Sequence, residues 1–554
     1  MPDPAPAQQN PDSSPKLYFS NCELFNPCTC SWDRTSFTVC EGRIRTLGET
    51  RGFHEDEENL RGARVIPGLI DAHVHVESSL LCPTEFGRLV LLHGVTTVVA
   101  DPHEIANVLG VSGIRYMLDE EKNTPLDIFF MLPSCVPASS EDLGGAIIGA
   151  DDLALLLPHE RVLGLGEVMD IEAVLDGDPG MMKKLRLTRL VDGHAPQLRG
   201  EALDLYLGAG IDSDHECTDQ NEAREKLEKG MFIMIREGST ARNLQELIPL
   251  ATACSLPRLS FATDDRHAST LARDGSIDDC VRRALQEGIE LEVALRMATL
   301  SPCDRFMLRD RGILAPGKIA DFCVLAKDNA FQVVRTYKEG LEVTRLPFQE
   351  PNVVRHTFHT VVPTEKELEL VPTGKARVIE IQKGQILTRE KIMDVEGGLL
   401  PDPVRDILTL LVCSRYRPGA NGVGMVHGFG LREGALASSV AHDAHNVVAV
   451  GADTHSLQKA VRAVSSHNGG MAVVSAEETW FLPLECAGLM SSSPYEQVCR
   501  KLDLLEEQAH RMGAFDRAFM YLSFLTLTVV PELRLTERGL YNAVTQRRVP
   551  LFIS

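Results

Sequence analysis

The sequence predicts an α/β protein: a (β/α)8 TIM barrel inserted in a small β-sandwich and followed by a C-terminal α+β domain. Three observations predict it. Eight apolar runs, each closing on polar residues and each followed by a helical stretch, occupy residues 65–265. Short β-like stretches broken by Gly, Asn and Pro flank that series on both sides. A last region, from residue 348 onward, carries apolar runs of its own.

The first fifteen residues hold five prolines, no basic start and no apolar core. Residues 1–16 are therefore read as a disordered lead-in and not as a signal peptide. LYFSNCELF, SFTVCEGRIRTLG and ARVIPG then supply strands, and RGILAPGKIADFCVLAKD returns to the same texture after the barrel. Residues 17–65 and 309–347 are read as the two halves of the small β-sandwich domain.

The eight runs between them are VIPGLIDAHVH, GVTTVVADPH, DIFFMLPSC, RVLGLGEVMD, RLVDGHAP, GIDSDHE, MFIMIREG and LSFATDD. Helical spacing separates them: PTEFGRLVLLHG puts Phe86, Leu89, Val90 and His93 on one face, and NEAREKLEKG is a charged helix stopped at Gly230. Strand–helix alternation argues for a parallel sheet. Eight even units match a closed barrel, typically ~250 residues long, better than an open doubly wound sheet. This places the barrel at 66–308. Residues 348–554 are long enough to form a separate α+β domain.

The chain has 554 residues and a net charge of −22, which argues against nucleic acid and anionic membrane surfaces as partners. No apolar run approaches the roughly 18 residues of a membrane span. Fourteen scattered cysteines without a CxxC pair suit reduced thiols in a cytoplasmic protein.

Barrel active sites gather at the C-terminal ends of the strands. Strand 1 ends in His73-Val74-His75, and alternation along a strand turns both imidazoles toward one point. Strand 4 ends at Glu167, strand 5 at His194, strand 6 at His215 and strand 8 at Asp264. Imidazole and carboxylate donors suit Zn, Mn, Fe or Co. Six ligands exceed the three a single catalytic zinc needs. They suit two ions about 3.5–4 Å apart, with Glu167 placed as the bridge. Asp264 can both bind metal and take the proton of the attacking water. His215 can bind metal or polarise the substrate.

Further candidates share these strand ends. Glu77 follows the two histidines and points the same way if the strand continues. Asp101, His103 and Glu104 close strand 2 in ADPHE. Each can orient a ligand from behind, and each can equally cap a turn or helix. His442, Asp443, His445 and Asn446, in HDAHN, can complete the pocket, bind another metal, or cap a turn.

PGLIDAHVHVESSLLCPTEF and HGVTTVVADPHEIANVLG closely resemble the microbial adenine deaminases of the amidohydrolase superfamily. GLGEVMD, DGHAP, DSDHE and ATDDR fall where that family has its other site motifs, and GFGLREGALASSVAHDAHNVVAVGAD resembles its C-terminal signature. The resemblance runs from about residue 17 to the end. It implies hydrolysis of adenine to hypoxanthine and ammonia by attack of a bridging hydroxide on C6. It implies two divalent ions, Mn first, with Fe or Zn as alternatives, held by His73, His75, Glu167, His194, His215 and Asp264. Catalytic roles would fall on Asp264, His215, Glu77 and Glu104. A homo-oligomer, commonly a dimer, is expected. The zinc deaminases built on HxE with PCxxC are excluded, since PCxxC is absent. The competing readings are another binuclear amidohydrolase acting on a cyclic amide or amidine, and a non-catalytic protein on the same fold.

Overall fold

A computed structural model describes residues 16–49, 56–327, 331–371, 373–395, 397–398 and 400–553. The proline-rich lead-in through residue 15 lies outside the described residues. Among the described residues no helix is long and apolar enough to cross a membrane.

One seven-stranded sheet contains strands from both sides of the barrel. Its order is Leu341–Glu342, Val333–Lys338, Phe322–Leu325, Asp56–Pro67, Lys16–Asn26, Ser31–Cys40 and Arg43–Leu47. The chain leaves this sheet at Pro67 and re-enters it at Phe322, directly opposite. The sheet holds its own aromatic core: Phe19 lies 5.0 Å from Phe37, and Phe322 stacks on Tyr337 at 4.4 Å.

The eight barrel strands are, in order, Leu69–Val74, Val95–Ala100, Asp127–Leu132, Val162–Val168, Val191–Gly193, Ser213–Asp214, Phe232–Arg236 and Leu259–Ala262. They correspond one to one with the eight runs of the sequence. Parallel ladders join strands 1 to 5 and strands 6 to 8. Strands such as VTTVVA are buried along their whole length, as expected where helices cover one face and the barrel core the other.

Two seams complete the ring differently. Between strands 5 and 6 side chains stitch the backbone: Gly193 donates its amide to Ser213 Oγ at 3.2 Å, and Ala195 donates to Asp214 Oδ1 at 2.9 Å. Between strands 8 and 1 the bond is main chain to main chain. Asp264 donates its amide to the His73 carbonyl at 3.0 Å, and His75 donates to the Asp264 carbonyl at 3.3 Å. Below the mouth the interior is filled by Ile70, Val99, Phe129, Met131, Phe232, Met234 and Ala262, so the barrel is packed and not a pore.

The C-terminal part is built on a nine-stranded, mostly antiparallel sheet between Lys375 and Ile553. Helices Thr454–Ser466, Tyr495–Arg511 and Ala518–Phe524 accompany it. The last of these covers the barrel mouth. Met520, Phe524, Leu527 and Val530 pack with Ile386 against Ala241, which follows barrel strand 7.

Candidate metal centre

Each ligand candidate sits at the C-terminal end of its strand, and all six converge. Strand 1 ends at Val74 with His73 and His75 fully enclosed. Their Nε2 atoms approach to 3.2 Å. Glu167, at the end of strand 4, faces both halves of the cluster. Its Oε1 lies 3.1 Å from the Nε2 of His73 and of His75. Its Oε2 lies 2.9 Å from His194 Nδ1 and 3.4 Å from His215 Nε2. Asp264 Oδ1 closes the first half, 3.4 Å from His73 and 3.0 Å from His75.

The electrostatics are those of donors gathered for a cation. Burial alone would raise the Glu167 carboxyl, but His215 and His73 hold it well below its usual range. Burial opposes charge on His73, yet Glu167 outweighs it and pushes the imidazole up to about 10. Glu167 Oε1 and His194 Nε2 are buried without a hydrogen-bond partner among the described residues. Buried polar atoms in that condition are rare in native proteins and call for an explanation such as an ion. The buried His73–Glu167–His215–Asp264 group places its ligand atoms within 4.8 Å of one another, which suits a divalent metal.

Supporting residues hold these donors. Arg236, at the end of strand 7, donates to Asp264 Oδ2 at 2.9 Å and forks onto Glu216, with Nη2 to Oε2 at 2.8 Å. Burial would raise the Asp264 carboxyl, but Arg236 keeps it well below the normal range. His75 Nδ1 donates to the Asp101 carbonyl at 3.0 Å, which leaves Nε2 for the cluster. Asp101 Oδ2 accepts the Glu167 amide at 2.9 Å, so Asp101 fixes the end of strand 4 and caps no helix. Lys226 is fully enclosed behind strands 5 and 6. It donates to Asp214 Oδ2 at 2.9 Å, Glu222 Oε1 at 2.7 Å and the Ala195 carbonyl at 2.5 Å. Asp214 and Ala195 are the chain neighbours of His215 and His194.

The remaining candidates divide. Glu77 opens a 3-10 turn after strand 1 ends, so it does not continue the histidine face. Its Oε1 accepts the Ile105 amide at 3.2 Å, and burial raises its carboxyl to about 7. His103 Nε2 lies 3.3 Å from Glu104 Oε1 and 3.7 Å from Asp443 Oδ1. Glu104 is joined to His442 and His445 of the C-terminal part. Asn446 points elsewhere: it donates to Glu537 at 2.9 Å and accepts the Arg415 amide at 3.2 Å.

A cavity opens directly onto the cluster. His194, His215, Glu216 and Asp265 form its polar side, and Met169, Ile386, Phe524 and Leu527 its apolar side. Arg236 was legible by the rule that picked the ligand candidates, because it is the first charge to break the apolar run MFIMIREG. Phe524, Leu527 and Ile386 had no such signal, being ordinary apolar residues far along the chain.

Comparisons with known proteins agree with this geometry. The amidohydrolase family model matches residues 64–343, and the adenine deaminase C-terminal domain model matches residues 385–547. The chain is 55% identical to the adenine deaminase of Methanoculleus marisnigri over 93% of its own length and 99% of that protein. It is 50% identical to the adenine deaminase of Methanoregula boonei, covering 97% and 96%. It is 39% identical to the adenine deaminase of Geobacillus kaustophilus, covering 97% and 96%. The chain belongs to the adenine deaminase family, with an amidohydrolase barrel at its centre.

Proposed function

We propose that this chain hydrolyses adenine to hypoxanthine and ammonia at the barrel mouth. The observation that carries the reading is similarity to adenine deaminases over nearly the whole chain, at 55% and 50% identity. It extends across both the barrel and the C-terminal part, which together wall the cavity.

We read the donor set as the holder of two divalent ions, manganese first, with iron or zinc as alternatives. His73, His75 and Asp264 would hold one with Glu167 Oε1, and His194 and His215 the other with Glu167 Oε2. When bound, such ions lower the pKa of water toward neutrality and stabilise developing negative charge. The protein's side chains supply the rest. The water oxygen bonds to C6, a proton reaches the ring nitrogen, and the C6–N bond breaks as ammonia leaves. Arg236 occupies Asp264 Oδ2. Asp264, oriented by that contact, is the carboxylate placed to take the proton from water and pass it to the departing nitrogen. Asp443 and Asp265 line the cavity, and burial raises both carboxyls, Asp443 to about 6. They are the acids placed to protonate the ring, and the spent acid recovers its proton from the C6 hydroxyl as the carbonyl forms. Glu77 acts from behind the wall, and Glu104 lines the cavity with its carboxylate joined to His442 and His445.

The same reading takes residues 17–65 and 309–347 as one small β domain, 66–308 as the barrel and 348–554 as the C-terminal domain. The working form is read as a cytoplasmic homodimer with no nucleic-acid or membrane partner. The test is to incubate the manganese-loaded protein with adenine, following ammonia release and the ultraviolet change to hypoxanthine. One ammonia per hypoxanthine is expected. Protein carrying its metal but leaving adenine unchanged, while hydrolysing another cyclic amide, would overturn the assignment.

A further inference from the structure

Glu104, His442 and His445 join the barrel to the C-terminal part, and their protons set them apart from the metal centre. His445 Nδ1 accepts the Ala441 amide at 3.2 Å. The ring proton therefore sits on Nε2, which donates to Glu104 Oε2. A neutral imidazole bonded this way has no lone pair left for a cation. His442 Nδ1 donates to Glu104 Oε1 at 2.6 Å. Both oxygens of Glu104 are thus occupied, and the carboxylate serves as an anchor for two rings of the C-terminal part.

One polar atom is left over. His442 Nε2 is buried without a hydrogen-bond partner among the described residues, on a side chain that lines the cavity. The ring cannot turn freely, because Glu104 holds one side. Phe524 stacks against it with centroids 4.7 Å apart and planes 14° from parallel. Phe524, Leu527 and Ile386 also line the cavity and give it an apolar flank suited to a flat ring.

We propose that His442 Nε2–H is the hydrogen-bond donor that reads a purine ring nitrogen other than N1, donating to the lone pair of N3 or N7, with Phe524 and Glu104 as its positioning residues. The assignment rests on adenine as the substrate. A buried carboxylate needs a paired cation. His445 is held neutral by the Ala441 amide, so His442, 2.6 Å from Glu104, is the ring that carries the second proton, and its Nε2–H is a donor. A site that leaves a buried donor unpaired discriminates strongly against an analogue lacking the matching acceptor.

The test compares kcat/KM for adenine, 3-deazaadenine and 7-deazaadenine in the wild-type enzyme and in the His442→Leu and His442→Gln variants. Each carries its full metal content. Intrinsic reactivity differences between the bases cancel when ratios are compared across the three enzymes. The wild type is expected to favour adenine over one of the two analogues by about 10- to 100-fold beyond the Leu variant, the range for a hydrogen bond to a charged group. The Gln variant retains an N–H donor and should keep part of that preference. KM for adenine should rise more than kcat falls. Unchanged discrimination against both analogues in the folded Leu variant overturns the assignment, as does an unchanged KM in that variant. A wild-type enzyme that leaves adenine untouched counts instead against the functional reading.

Discussion

Replacing Lys226 by Met tests how the second half of the donor set is held in place. Lys226 is fully buried and bridges Asp214, Glu222 and the Ala195 carbonyl. Removing one partner of a buried ion pair typically costs about 3–5 kcal/mol, because the other charge is stranded. For a barrel of this size each kcal/mol moves the melting temperature by about 2–4 °C, so a drop of roughly 6–20 °C is expected. The pH dependence has a definite sign. Lys226 now holds Asp214 below its usual pKa against burial. Without it, burial raises the folded-state pKa above the unfolded one, and stability is lost as pH rises. The deficit should be larger at pH 8 than at pH 5. Adding Glu222→Gln, which removes one stranded charge, should recover part of it. Circular dichroism melts of metal-free protein at the two pH values provide the assay. A shift below about 2 °C, or a deficit that shrinks as pH rises, would refute the argument.

Glu167→Gln should cut bound divalent metal from the proposed two equivalents to one or fewer and lower kcat/KM by at least ~100-fold. Metal analysis and the ammonia assay measure both, and retention of two ions contradicts the bridging role. Arg236→Met frees Asp264 Oδ2 and removes the charge that depresses its carboxyl. The acid limb of the pH–rate profile should then move upward, and kcat should fall about 10- to 100-fold with a smaller change in KM. An unmoved acid limb would show that Arg236 does not tune Asp264. Metal binding must displace protons from the raised imidazoles of His73 and His75. Apparent affinity should therefore strengthen as pH rises through the range in which these two rings lose their protons. Calorimetry in two buffers of different ionisation enthalpy counts the protons, and zero release contradicts the electrostatic picture.

The barrel strands were legible because each is an apolar run broken at one end by a residue with chemistry. That rule needs only local sequence, and it located His73, Glu167, His194, His215 and Asp264. It would also have located Arg236, which a search for metal donors passes over because guanidinium binds no cation. Alternation misplaced Glu77, since it assumes a strand that continues beyond His75, and the strand stops at Val74. Asp101 beside Pro102 read equally as a helix cap. Only the tertiary structure shows its carboxylate accepting the Glu167 amide across the barrel. Phe524 and Ile386 were invisible for a different reason. Nothing in an apolar side chain distinguishes a pocket wall from a core until two parts of the chain dock.

The seam between strands 8 and 1 gives Asp264 two tasks. Its main chain supplies both hydrogen bonds that close the ring there, with φ at 54°, while its side chain belongs to the donor set. Only Gly, Asn and Asp adopt that backbone conformation readily. Random mutagenesis at this codon would therefore mix losses of stability, roughly 1–2 kcal/mol for the strained backbone, with losses of turnover. Asn is the replacement that separates the two losses, keeping the ring shut while deleting the charge. Any survey of tolerated substitutions here would report barrel closure and catalytic competence as one trait.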